Sequence, residues 1–386
     1  MNQNENEATE TTSVYTGESK AHSALVTPIY ANVTYQYDTP SERGGEYRYS
    51  RMANPTARDL ETVLAELEGA DHASVFASGM AAIDSVFSLL SAGDHIVAGN
   101  SLYAETHDLL SEFYPRYNID VSYVDTTDPE AVRNATRTDT VLVYGESPSN
   151  PLLRITDISA VAAAAHEVDA LLAVDNTFAS PALQRPIEIG ADIVIESLTK
   201  YLSGHSDSIG GVVATSNGSL AERFWRTKYT RGAIISPFEA FLIRRGIKTL
   251  YARIDRHCKN ATLIADLLST HGDVERVFYP GLVSHPSHDL AATQMDDFGG
   301  MIAFELKGGV EDAVSFVSAL ETITIAESLG GVESLVEVPA AMTHQDLSSS
   351  ELTAAGIDEG LVRLSTGIEQ SNHLLNDIKR GLAKIK

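Results

Sequence analysis

The run Glu196-Ser197-Leu198-Thr199-Lys200-Tyr201-Leu202-Ser203-Gly204-His205-Ser206-Asp207, ESLTKYLSGHSD, follows the apolar triplet Ile193-Val194-Ile195. In a chain where arginines clearly outnumber lysines, a lysine stands directly after a buried strand. Ser197 and Thr199 flank it, and a Gly-His-Ser-Asp turn follows. A lysine at a strand end can be partly desolvated, which lowers its pKa and makes its amine nucleophilic. Taken alone, Lys200 could equally be a lysine that buries its stem and keeps its charge in water. The neighbouring segments decide between the two.

Outward from this run the chain alternates. Short apolar strands are expected at 74–76, 95–98, 121–124, 140–144, 171–174, 193–195 and 210–214. Helical patterns lie between several of them. RDLETVLAELEGA places Leu60, Val63, Leu64 and Leu67 on one face, with Gly69 as a stop. GMAAIDSVFSLL and ISAVAAAAHEVDA are further helices. Continuously apolar strands alternating with helices predict an α/β fold with a mostly parallel sheet covered on both faces. In such folds ligands bind at the carboxyl ends of the strands. After Gly211 the pattern changes to a long helical stretch, 236–272, expected to break near Gly246. MIAFELKG, EDAVSFVSAL and the closing helix NHLLNDIKRGLAKI then suggest a smaller α+β domain. Residues 1–20 read as loose and 21–58 as an extended arm. The expected division is an arm over 1–58, a large domain over 59–250 and a small domain over 251–386.

Composition narrows the function. The chain has 386 residues, 43% of them hydrophobic, enough for a substantial core. No apolar run approaches the roughly 18 to 20 residues of a membrane helix. The polar start MNQNENEATETT lacks the marks of a secretory signal, and a single cysteine, Cys258, excludes a disulfide framework. A cytoplasmic protein is expected. The formal net charge of −25 repels nucleic acid and anionic membranes. Acid spread along the whole chain suits a salt-rich, halophilic cytoplasm, where screening weakens self-repulsion.

Four features fall at strand ends. Ser78-Gly79-Met80 opens a helix, whose free N–H groups and dipole favour an anion, although a plain N-cap serine explains it as well. Asp175, in LLAVDNTF, puts a carboxylate after an apolar run, where an unpaired buried charge is costly. Lys200 is the third and Tyr103, just past 95–98, the fourth. A lysine able to form a Schiff base, an acid for a pyridinium nitrogen, and a phosphate cradle of helix start and hydroxyls are together what pyridoxal 5'-phosphate requires. Gly79, Met80, Ser197 and Thr199 are the candidates for its phosphate, Asp175 for its ring nitrogen and Lys200 for its aldehyde. His205 and Asp207 alone are too few for a metal site, and none is expected.

With ESLTKYLSGHSD, VDNTFASPALQRPIEIGAD, ESPSNPLLRI, YRYSRMANPT, AESLGGVESLVEVPAAMTH and VRLSTGIE, the chain resembles the Cys/Met-metabolism enzymes that depend on pyridoxal phosphate. These trans-sulfuration enzymes include cystathionine γ-synthase, cystathionine γ-lyase, methionine γ-lyase and the homoserine sulfhydrylases. The likeness covers about residue 20 to the C-terminus and leans to the cystathionine γ-synthase and γ-lyase branch. It implies the fold of the aspartate aminotransferases, as a homotetramer in which paired subunits share active sites. It implies that Lys200 anchors the cofactor and moves protons, and that Tyr103 stacks on the ring. It places Asn150 beside the cofactor and gives Arg363 the substrate α-carboxylate. Ser328 and Glu327 line the substrate side. Tyr49 and Arg51 reach the cofactor phosphate of a neighbouring subunit. The likeness departs at Tyr103–Asp108, which is acidic where relatives often carry a base. It departs again at Met52-Ala53 after the YSR triplet. An O-acylhomoserine sulfhydrylase or a methionine γ-lyase is the alternative reading, and a non-catalytic protein that binds pyridoxal phosphate is a remote one.

Overall fold

The computed structural model describes residues 3–16, 24–40, 45–343 and 356–385. Seven short strands make the first sheet: β1 (His72–Phe76), β2 (His95–Gly99), β3 (Asp120–Val124), β4 (Thr140–Glu146), β5 (Leu171–Asp175), β6 (Ile193–Ser197) and β7 (Gly211–Thr215). Their order is β1-β7-β6-β5-β4-β2-β3. The pairs along β6-β5-β4-β2-β3 are parallel, as the alternating pattern predicts. Strand β7 runs against both its neighbours, β6 and β1. The segment between β6 and β7 contains no helix to carry the chain back across the sheet, so β7 returns antiparallel.

The described helices are α1 (Gln3–Tyr15), α2 (Pro55–Leu67), α3 (Gly79–Phe87), α4 (Ala104–Asp108), α5 (Pro129–Ala135), α6 (Ile158–His166), α7 (Gly218–Arg231), α8 (Pro237–Ile247), α9 (Leu250–Ser269), α10 (His288–Gln294), α11 (Gly309–Ser318) and α12 (Ser371–Leu382). Ser78, Asp128, Asp157 and Asn217 cap α3, α5, α6 and α7 through side-chain oxygens, so polar residues just before an apolar period start these helices. The long helical stretch breaks between α8 and α9. At Gly246 a Cβ would lie 2.1 Å from the Ser203 carbonyl oxygen, so this helix packs directly on the backbone that follows Lys200.

A second sheet contains β8 (Val274–Phe278), β9 (Met301–Leu306), β10 (Thr324–Ile325), β11 (Leu335–Glu337) and β12 (Leu361–Ser365), in the order β10-β11-β12-β9-β8. Helix α9 joins the two parts. Its first half puts Ile254 and Cys258 into the core around β1 and α2. Its second half puts Ala261, Ile264 and Leu268 into the core beneath the second sheet.

The start of the chain differs from the loose segment expected. Gln3–Tyr15 is helical. Its last turn is held by Arg244 of α8, which donates to the carbonyls of Ser13 at 3.0 Å and Thr16 at 2.6 Å. A cation at a helix C-terminus satisfies carbonyls that the helix leaves open. The segments 24–40 and 45–54 contain no helix, and an isolated bridge joins Thr34 to Tyr49.

Candidate active site

The parallel strands β4, β5 and β6 end on one edge of the first sheet. Register pairs Glu146 with Asp175, so two carboxyls lie side by side at that edge. Ser197 closes β6, and Lys200 follows in the next turn. These strands are apolar until their last residues, which concentrates the polar groups here.

Lys200 is half-buried and its Nζ donates to Ser328 Oγ at 2.9 Å. Burial first, and the Arg363 guanidinium second, bring the lysine down to about 8. Ser328 stands at φ 85°, a left-handed conformation costly for serine, and such strain collects at functional sites. Gly330, two residues on, has φ 76°, and a Cβ there would lie 2.7 Å from the Tyr201 amide nitrogen. The SLGG loop thus packs against the lysine backbone.

Arg363 of β12 is buried. Its Nη1 donates to Asn150 Oδ1 at 2.9 Å and its Nη2 to the Ser328 carbonyl at 3.2 Å. Its Nε pairs with Glu337 at 3.1 Å. The structure therefore brings Lys200, Ser328, Arg363 and Asn150 into one connected group. Glu327 is exposed at its rim, where its charge acts on Lys200, Tyr103 and Arg363.

Asp175 is buried at the end of β5. Its Oδ1 accepts from the Thr177 amide at 3.0 Å, and Tyr144 reaches Oδ2 at 3.5 Å. Burial raises its pKa, and among the described residues no cation acts on it. Glu146 beside it is pushed up to about 8 by burial and by Asp175. Tyr103 opens α4 and donates its backbone N–H to Glu146 Oε1 at 2.6 Å. Its phenol is raised to about 12 by burial and then by Glu105.

At the start of α3 a Cβ on Gly79 would lie 3.0 Å from Ser197 Cβ and 3.2 Å from its Oγ. The Ser197 hydroxyl therefore sits against the N-terminus of α3, where Gly79 and Met80 form the first turn. Ser78 does what a plain N-cap does, accepting from the Ala81 amide at 3.1 Å. Thr199 Oγ1 accepts from the Gly210 amide at 3.2 Å and so also ties the lysine turn to the start of β7. Tyr49 and Arg51 stand apart. Arg51 lies 5.5 Å over the Tyr49 ring and donates to the Tyr229 carbonyl at 2.7 Å. Among the described residues Arg51 meets Tyr49 and Tyr229 rather than Lys200, Asp175 or Arg363. His205 bonds the Ser203 carbonyl, and Cys258 is buried in α9 with its thiol pushed up by burial.

Glu146 and Glu337 are members of this site that sequence reasoning missed. Glu146 had a signal, since it ends an apolar strand just as Asp175 does. Glu337 ends the short strand β11, and its partner Arg363 on β12 becomes its neighbour only once the two strands pair.

Pyridoxal phosphate fits these residues. A carboxyl pair buried without a cation suits a protonated ring nitrogen. A helix N-terminus with a hydroxyl against it suits a phosphate. A desolvated lysine lies within the same group.

The model of the family described as "Cys/Met metabolism PLP-dependent enzyme" matches residues 10–383. The chain is 46% identical over 366 residues to the cystathionine beta-lyase of Lactococcus lactis subsp. cremoris, covering 95% of this chain and 96% of that protein. It is 42% identical over 386 residues to the cystathionine gamma-lyase of Dictyostelium discoideum, covering all of both. Cystathionine gamma synthase from Xanthomonas oryzae pv. oryzae, solved in complex with aminoacrylate and cysteine, superimposes with a TM-score of 0.94. It is 42% identical, with 97% of this chain and 98% of that one covered.

Proposed function

Because the chain belongs to the Cys/Met metabolism PLP-dependent enzymes, we propose that it catalyses γ-elimination or γ-replacement on homoserine-derived amino acids, as a cystathionine γ-lyase or γ-synthase. Its cofactor, pyridoxal 5'-phosphate, supplies an electron sink at the substrate α-carbon. Lys200 holds the aldehyde, Asp175 the ring nitrogen, and Gly79, Met80, Ser197 and Thr199 the phosphate. Asn150 and Tyr103 flank the ring.

The observation that carries the proposal is the Lys200–Ser328–Arg363 connection. A lysine with lowered proton affinity and a buried guanidinium share one strained residue. Arg363 binds the α-carboxylate by a charge-assisted bond, with Glu337 and Asn150 fixing its plane. This fixes the α-carbon beside Lys200 Nζ. Lys200 removes the α-proton and passes protons along the substrate, and Ser328 Oγ aims the amine. Tyr103, raised to about 12, stays protonated and is a proton donor near the leaving group. Glu327 lines the distal side.

We also propose the division 59–250 and 251–386 into large and small domains, preceded by the arm 1–58. We propose a homotetramer in which Tyr49 and Arg51 serve a neighbour's phosphate. Tyr49 and Tyr103 are 41% and 43% exposed, surface that a second copy would cover. Among the described residues no helix is long and apolar enough to cross a membrane, and a cytoplasmic place is proposed.

The test is product analysis with bound cofactor in concentrated potassium chloride. L-cystathionine yielding cysteine, 2-oxobutanoate and ammonia establishes γ-elimination. O-acetyl- or O-succinylhomoserine plus cysteine yielding cystathionine establishes γ-replacement. Homocysteine and pyruvate from L-cystathionine would overturn the γ-reading in favour of cleavage at the β-carbon, the activity named for the Lactococcus relative.

A further inference from the structure

Beneath the edge that carries Ser197, two buried glutamates face each other. Glu68 ends α2 and is fully buried, and Glu196 on β6 is 1% exposed. Among the described residues neither oxygen of Glu68 meets an N–H or hydroxyl donor, yet its carboxyl lies within hydrogen-bonding reach of Glu196. Two carboxylates cannot hydrogen-bond each other, so a bond between them needs a proton on one.

The surrounding charges point the same way. Arg185, 1% exposed, faces Glu68 but already pairs with Glu188 at 2.9 Å. Glu188 adds negative charge at Glu68, and Asp175 adds it at Glu196. The Tyr251 hydroxyl of α9 lies near Glu68, and Asp296 lies near Arg185. Among the described residues no cation other than Arg185 acts on Glu68, and none acts on Glu196. One guanidinium, already paired with the exposed Glu188, cannot offset the buried carboxyls of Glu68, Glu196 and Asp175. Burial raises both groups, Glu68 to about 8 and Glu196 well above the ordinary range.

The pair also reaches the candidate site. Glu196 Oε1 accepts from Asn176 Nδ2 at 2.9 Å. Asn176 Oδ1 accepts from Gln184 Nε2 at 2.9 Å, and that amide also donates to the Ser147 carbonyl at 2.8 Å. Asn176 follows Asp175, Ser147 follows Glu146, and Glu196 precedes Ser197. Successive strand residues point to opposite faces, so this chain of polar groups ties the ends of β4, β5 and β6 from behind.

We propose that Glu68 and Glu196 form a proton-holding carboxyl pair that positions the ends of β5 and β6, and through them Asp175 and Ser197. The consequence for the cofactor rests on the proposed roles of Asp175 and Ser197. The pair itself does not.

The sign follows from linkage. A carboxyl raised in the folded state contributes stability that is complete below the ordinary carboxylate range and lost as pH rises to the folded value. The full-length holoprotein and the variants Glu196→Gln and Glu68→Gln are compared from about pH 6 to about pH 10 by thermal unfolding and by pyridoxal phosphate affinity. Either glutamine keeps a hydrogen-bonded contact without a titrating proton, so the conclusion does not depend on both variants folding. The parent protein is expected to lose stability on approach to pH about 8. Its cofactor affinity should fall about tenfold over the next pH unit as the pair ionises. In the variants both profiles become shallower than the parent's, the remaining slope coming from Glu146 and Lys200, which also titrate near pH 8. Superimposable unfolding profiles for parent and variants overturn the pair. Flattened unfolding with an unchanged affinity profile overturns the positioning role. If no cofactor binds at any pH, the proposed function fails, and the unfolding profiles still decide the pair.

Discussion

At the scale of single residues the account turns on environment. Burial and Arg363 disfavour the charge on Lys200, which favours a neutral, nucleophilic amine. Its reaction with an amine-acylating reagent, followed at that peptide by mass spectrometry, should have a midpoint near pH 8 in cofactor-free protein. A midpoint at the ordinary lysine value would show that the desolvation is absent in solution. Glu337 reaches the site through its ion pair with Arg363, and its charge also acts on Lys200. Glu337→Gln removes a charge-assisted contact worth about 1.5–3 kcal/mol, so KM should rise tenfold or more while kcat changes less. Equal losses in both would show that Glu337 serves something other than ground-state binding. Asp175 and Lys200 were legible in the sequence because each interrupts an apolar strand end. Glu337 was not, since a long-range ion pair leaves no local pattern.

At the scale of elements the first sheet was largely legible. Strands β2, β4, β5, β6 and β7 are short apolar runs bounded by polar residues, which is a strong local signal. The direction of β7 depends on the missing crossover helix, and α1 on a docking arginine, so neither shows in a periodicity. Two glycines test the packing. Gly246→Ala drives a methyl into the Ser203 carbonyl and should cost about 1–3 kcal/mol, read as a lower midpoint of unfolding. Gly79→Ala presses on Ser197, so it should weaken pyridoxal phosphate binding while leaving the unfolding midpoint of cofactor-free protein nearly unchanged. A variant that binds the cofactor normally would remove Gly79 and Ser197 from the phosphate site.

At the scale of the whole molecule, charge and the exposed arm residues decide what the surface does. The charge of −25 spreads self-repulsion over the chain, and salt screens it. Unfolding midpoints should rise with potassium chloride concentration, and an unchanged midpoint would count against a salt-rich setting. Within one chain Arg51 meets Tyr49 and Tyr229 rather than Lys200. If they serve a neighbour, inactive Arg51→Ala and Lys200→Ala proteins, mixed and reassembled, should recover up to about a quarter of parental activity through hybrid pairs with one intact site. No recovery on proven subunit exchange would place both residues outside any shared site.

The central claim is that Lys200, aimed by Ser328 beside an Arg363-bound carboxylate, moves the α-proton of an amino-acid substrate. The most direct measurement is the exchange of that proton with solvent deuterium, followed by NMR on L-cystathionine with the parent enzyme and with Lys200→Ala. The account predicts rapid exchange in the parent. It predicts loss of exchange in the variant, which should still bind the substrate. Exchange at the parental rate in Lys200→Ala would contradict it.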